Sequence, residues 1–284
     1  MKHRRMQAAM YAILLVIVMI AAIASYSLYL SMAASAADRQ AFDRQAVEKA
    51  SIAFASAESI LEKLQSIISE NLAEEEEESD EEFDPQEWVT FRNEIGGDMA
   101  QITMLLSSLD GLTADVGSSE GKTVLAVREY LGMLSSISAD MYELIGYHLE
   151  LYEALEALSD FDEDADYEDF ALQLADAAQN AADMMNGIDT PSYLRISHDD
   201  LTKRFIEFQE FGEDFYVAVV LEDPLRLYSC IYRMDRISVM LDKATSNLLA
   251  DVNLQFEQAD KRMSGMIATL HNELERNIAL LLAV

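Results

Sequence analysis

Ile237 to Leu281 reads ISVMLDKATSNLLADVNLQFEQADKRMSGMIATLHNELERNIALL, and the reading of this stretch decides the fold. Ile237, Leu241, Ala244, Leu248, Val252, Phe256, Ala259, Met263, Met266, Leu270, Leu274, Ile278 and Leu281 recur at steps of three or four. That is the apolar seam of a long α-helix built to lie lengthwise against another helix. A second seam lies near the other end of the chain, at Phe42, Ala46, Ala50, Phe54, Ala57, Leu61, Leu64, Ile68 and Leu72. Both segments far exceed the roughly 11-residue mean helix. The sequence therefore predicts an antiparallel, coiled-coil-like pairing of the two, which returns the C-terminus to the start of the first.

Between the seams the breaks are few, because 284 residues hold only 10 glycines and 3 prolines. Glu74 to Asp84 is almost entirely acidic, a self-repelling run suited to a solvated loop. Asp84-Pro85-Gln86-Glu87 then reads as a helix start, with Asp as cap and Pro at the first helical position. Thr190-Pro191 and Asp223-Pro224 repeat the pairing of a capping residue with proline. These marks predict helices over 85–113, 122–158, 166–187, 197–221 and 225–282, and with the first seam the chain is an all-α bundle of six helices. Acidic loops are expected at 74–84 and 159–166.

The N-terminal portion differs. Met6 to Ala37 holds no Asp, Glu, Lys or Arg, and Ala12, Leu15, Ile17, Ile20 and Ile23 lie in its apolar centre. About 20 apolar residues cross a bilayer, so residues 1–37 are expected to form a basic cytoplasmic tip and a membrane anchor. Lys2, Arg4 and Arg5 in front of it favour a cytoplasmic N-terminus. Residues 38–284 would then be extracytoplasmic. The competing reading is a cleaved signal peptide ending at Ala34-Ser35-Ala36, against which the apolar length argues. With neither Gly nor Pro before Pro85, the anchor helix would continue through Asn71 as a stalk of roughly 100 Å.

Met1 to Arg5 followed by an apolar helix loosely resembles the leader of type IV pilins. That family places glycine before its processing site and glutamate five residues after it. Met6 and Tyr11 stand there instead, and no pilin residue is carried over.

No catalytic constellation emerges. Gly117 to Thr123 imitates a phosphate loop but has three residues between its glycines where four are needed, which leaves an inter-helix turn with Ser118 or Ser119 as cap. Asp160, Asp162, Asp164, Asp166 and Glu168 alternate as in an EF-hand loop, yet neither frame supplies its glycine or closing glutamate. They remain weak candidates for divalent cations. His3, His148, His198 and His271 have no metal-ligand spacing, and His198 with Asp199 and Asp200 reads as a helix first-turn cluster. Cys230 is the sole cysteine, so no intrachain disulfide is possible. The methionines fall mostly on apolar stripes, as core filler.

Charge narrows the partners. Fifty-two carboxylates against 7 lysines and 13 arginines give a formal charge of -32, which excludes nucleic acid as a natural partner. A lysine-poor acidic surface suits a protein working in high salt; an acidic face for a basic partner is the alternative. The sequence thus points to a non-enzymatic structural or interaction module of the cell surface, with the lipid bilayer and a protein or second copy as partners and no cofactor. The rival is a ligand-sensing ectodomain resembling the helical bundles of chemoreceptors, although this chain carries no second span. Ile278, Leu281 and Leu282, in the uncharged tail, are the expected membrane-interface or docking tip.

Overall fold

The computed structural model describes residues 41–69, 84–110, 112, 118–158 and 167–283. Among them every regular element is helical. α1 occupies 41–69. It is followed by α2 (Pro85–Asp110), α3 (Ser119–Leu158), α4 (Tyr167–Gly187), α5 (Arg195–Val220), α6 (Pro224–Met266), a π turn (Ile267–His271) and α7 (Asn272–Leu282). The expected helices are therefore present with shifts of at most a few residues at their ends. No helix among the described residues is long and apolar enough to cross a membrane. The anchor read at Ala12, Leu15, Ile17, Ile20 and Ile23 lies outside the described residues.

Capping explains where α2 and α3 begin. The Asp84 carboxylate accepts from the Gln86 N–H at 2.9 Å, and the Ser118 hydroxyl accepts from the Gly121 N–H at 2.9 Å. Ser118 thus satisfies one of the orphan amides of α3, and Ser118 to Thr123 of the phosphate-loop imitation form a capped helix start. Thr190 behaves otherwise. Its hydroxyl donates to the Ile188 carbonyl, Pro191 starts a separate turn closed by the Leu194 N–H at 2.9 Å, and α5 begins at Arg195 behind Leu194, which makes no side-chain cap.

α3 is the centre of the bundle. α2 runs antiparallel to it: Trp88 stacks on His148 at 4.6 Å, Arg92 lies over the Tyr142 ring at 4.6 Å, and Arg128 pairs with Asp110. α6 is antiparallel to α3 as well, with Arg262 bound to Asp140 and Ser136, and Tyr130 within 3.4 Å of His271. Phe54 of α1 meets Tyr130 and His271, while Lys63 further along reaches Asp98 at 3.3 Å. α1 is therefore parallel to α3 and antiparallel to α6, the direction expected from the sequence.

The packing of α1 corrects the paired-seam picture. It buries Ala46, Ala50, Phe54, Ala57, Leu61, Leu64 and Ile68 as predicted, but also Val47, Ala53, Ile60 and Ile67. Two adjacent stripes face several neighbours at once, so α1 is a bundle helix and not half of a coiled coil. Phe42 is exposed. On α6 and α7, Ala244, Leu248, Val252, Phe256, Ala259, Met263, Met266, Leu274 and Ile278 are buried in one continuous core with α1, α2 and α3.

The π turn has a sequence cause. Met266, Leu270, Leu274 and Ile278 step by four, and three such steps overrun three α turns by about 120°. One wider turn absorbs the excess and keeps Leu274 and Ile278 on the core side.

Ala181, Ala182 and Met185 of α4 and Leu201 and Phe205 of α5 join this core; beyond it the start of α4, the end of α5 and the start of α6 form a thinner extension. Leu174, Phe211, Ala218, Cys230 and Ile237 make a small separate core flanked by Phe170, Phe208, Phe215 and Leu227. α4 and α5 meet closely at Gly212, where a Cβ would stand 2.8 Å from Ala175 Cα. Glycine is required there by contact distance.

Candidate docking surface at the α5–α6 corner

The corner is a tightly specified turn. The Glu222 and Asp223 N–H groups donate to the carbonyls of Val219 and Ala218, the double bond of a Schellman closure. Its left-handed position, usually glycine, is held by Glu222 at φ 47. Asp223 then caps α6, its carboxylate accepting from the N–H groups of Leu225 at 3.0 Å and Arg226 at 3.2 Å, with Pro224 opening the helix.

From here α6 shows apolar side chains to solvent. Leu225 is 83% exposed, Tyr228 61%, Tyr232 64% and Val239 67%. Their steps of three, four and seven put them on one helical face. Over the same stretch only Cys230 and Ile237 are buried, on the opposite side. The two tyrosine rings meet at 5.1 Å with hydroxyls 3.1 Å apart, and that hydrogen bond raises the Tyr228 pKa. Beside the stripe, Phe215, Val219, Glu222, Pro224, Leu227 and Ile231 line an open groove of about 560 Å³. Burial, with the Asp214 charge behind it, pushes the Cys230 thiol up, away from the reactive thiolate.

Sequence reasoning missed this surface. Leu225, Tyr228 and Tyr232 were readable as an apolar stripe, but nothing in the sequence said that α6 would be packed on one side only here.

The residues singled out by sequence lie elsewhere. Ile278 is buried in the main core, Leu281 is half-buried and Leu282 is 39% exposed. Asp160, Asp162, Asp164 and Asp166 lie outside the described residues; Glu168 is exposed in the first turn of α4. Among the described residues no group of three or more metal-ligating side chains comes together.

His198, Asp199 and Asp200 do not form a first-turn acidic cluster, since α5 starts at Arg195 and its first turn holds no acid. His198 is buried and hydrogen-bonded to the Tyr147 hydroxyl at 3.0 Å, while Asp199 stays exposed and Asp200 pairs with Arg204. Burial lowers the His198 pKa and, against Trp88, brings that of His148 down to about 4. His271 sits between Phe54, Tyr130 and Glu58, 3.3 Å from the Glu58 carboxylate. Each of these three histidines is thus a separate aromatic contact of the bundle, and they share no site among the described residues.

A scan against protein-family models, a search of curated proteins and a search of solved structures each return no match.

Proposed function

We propose that the chain is a membrane-tethered, non-enzymatic interaction module that presents the α5–α6 corner to a protein partner. The observation behind this reading is the stripe Leu225, Tyr228, Tyr232 and Val239, which is apolar and exposed in a chain whose formal charge is -32. Contiguous apolar surface of this kind marks interaction sites in monomers. The tether is the charge-free run holding Ala12, Leu15, Ile17, Ile20 and Ile23.

The two features fit one layout. α1 runs antiparallel to α6, with Phe54 and Glu58 against His271, and Tyr232 is 46 positions from Ile278 along a nearly continuous helix. The corner is therefore about 70 Å from Ile278, at the end of the bundle away from the start of α1. A surface held at that distance meets proteins before it meets the lipid of its own anchor.

The test uses the full chain in its membrane, with a photo-crosslinking phenylalanine analogue at Tyr232 or, as control, at exposed Ile52 on α1. Retention of the chain after alkaline washing, with protein adducts from position 232 and none from 52, is expected. Release from the membrane, or absence of adducts at 232, would overturn the reading. Thermal stabilisation by a small solute with no adducts would favour the ligand-sensing alternative.

A further inference from the structure

We propose that the partner at the corner is a second copy of this chain, docked antiparallel through the α6 stripe about a two-fold axis between Tyr228 and Tyr232. This rests on the interaction reading above and names its partner.

The first argument is area. Leu221, Leu225, Tyr228, Ile231, Tyr232 and Val239 are each more than half exposed. Together they form an apolar patch of several hundred Å², of the same order as the ~800 Å² each partner contributes to a standard interface.

The second argument is charge. A chain at -32 repels its own copy almost everywhere. Along α6 the stretch 224–240 carries Arg226, Arg233 and Arg236 against the single acid Asp235, and Arg226 and Arg233 offset the neighbouring Asp223, Asp214 and Glu210. Repulsion between copies is reduced here.

The third argument fixes the direction. Arg233 is taken by Asp214 and Glu210, and Arg226 by Asp223. Exposed Glu222 at one end of the stripe and exposed Arg236 at the other make no ion pair among the described residues. In a parallel pair like ends would meet. In an antiparallel pair centred between the tyrosines, residue numbers of opposed positions sum to about 460 by helical register. Tyr228 then faces Tyr232 of the other copy, and Arg236 faces Pro224, the first residue of α6, two positions past Glu222. One patch meets itself, as a two-fold interface requires.

Glu222 itself supports this. A non-glycine residue in the left-handed region is strained, so a glutamate at a position suited to glycine points to use of its side chain. An intermolecular pair with Arg236 is such a use.

The test is sedimentation of the full chain in mild detergent, with circular dichroism to check folding. A dimer is expected for the unaltered chain. Tyr232→Glu should weaken it at least 100-fold by setting two charges against the partner's tyrosines. Arg236→Glu should weaken it on the order of 10-fold, and Glu222→Arg combined with Arg236→Glu should restore most of that loss. A helical monomer at all concentrations would overturn the proposal, as would a dimer indifferent to Tyr232→Glu or a double swap that does not recover. Adducts from Tyr232 to a different protein, or to residues 1–40 of the same chain, would overturn self-pairing and leave the interaction reading standing only in the first case.

Discussion

The two halves of α6 are one helix with two different lives. From Ala244 to Met266 its seam is buried at every turn in the core shared with α1, α2, α3 and the start of α5, alongside side chains as large as Phe256 and Tyr130. From Pro224 to Ile237 it buries only Cys230 and Ile237 and shows more apolar surface than it hides. The first region is stabilised by its own chain. The second is held mainly by α5, through Phe211, Ala218 and the Arg233 pairs to Asp214 and Glu210. The lesson is that helix continuity and stability are separable: a rigid lever rooted in a deep core can carry a thinly packed end.

The hardest blow to this comparison comes from cavities. Leu248→Ala, at a fully buried site, should cost about 3–5 kcal/mol and lower the urea midpoint of the whole molecule. Ile237→Ala should instead speed amide exchange around Phe211 and Cys230 while leaving the amides around Leu134 and Leu248 protected. Equal acceleration in both regions would erase the distinction.

Acid attacks the thick region next. Burial holds the folded-state pKa of His148 at about 4 against an ordinary 6.5. The unfolded chain therefore binds a proton that the folded chain refuses. Stability is full above about pH 6.5 and falls by about 3 kcal/mol as pH drops toward 4. Urea titrations of the unaltered chain and of His148→Phe at pH 7.5 and 4.5 isolate this contribution from the carboxylates. Parallel losses in the two would show that His148 does not carry it.

Gly212 probes the thin region. Gly212→Ala sets a methyl against the Ala175 backbone at 2.8 Å, and should cost about 1–3 kcal/mol, read as faster exchange in α4 and α5. An unchanged exchange pattern would mean that α4 and α5 separate at little expense.

The smallest effect sharpens the corner. Glu222→Gly relieves the left-handed backbone and should stabilise the monomer by about 1 kcal/mol while weakening self-association. Thermal melting below and above the dimerisation concentration separates the two, and a loss of monomer stability would show that Glu222 is not strained.

Much of this was legible in the chain because period and capping are local. The seam from Ile237 to Ile278, the caps at Asp84 and Asp223, and the turn at Ser118 need only their own neighbours to be read. His198 was misread because its Tyr147 partner lies 51 residues away, and local sequence offered Asp199 and Asp200 instead. The docking surface escaped for a related reason: Leu225, Tyr228 and Tyr232 look like core until one knows that the core is already full on the other side.

The sequence by itself determined that the described residues are helical, where α2, α3 and α6 begin, and that the chain is strongly acidic with an apolar N-terminal run. Those properties follow from hydrogen bonding, residue period and charge along the chain. Only the tertiary structure decided which apolar stripes are covered, since burial depends on how many helices surround a given face. It gave α1 neighbours on two stripes and left the start of α6 with neighbours on one.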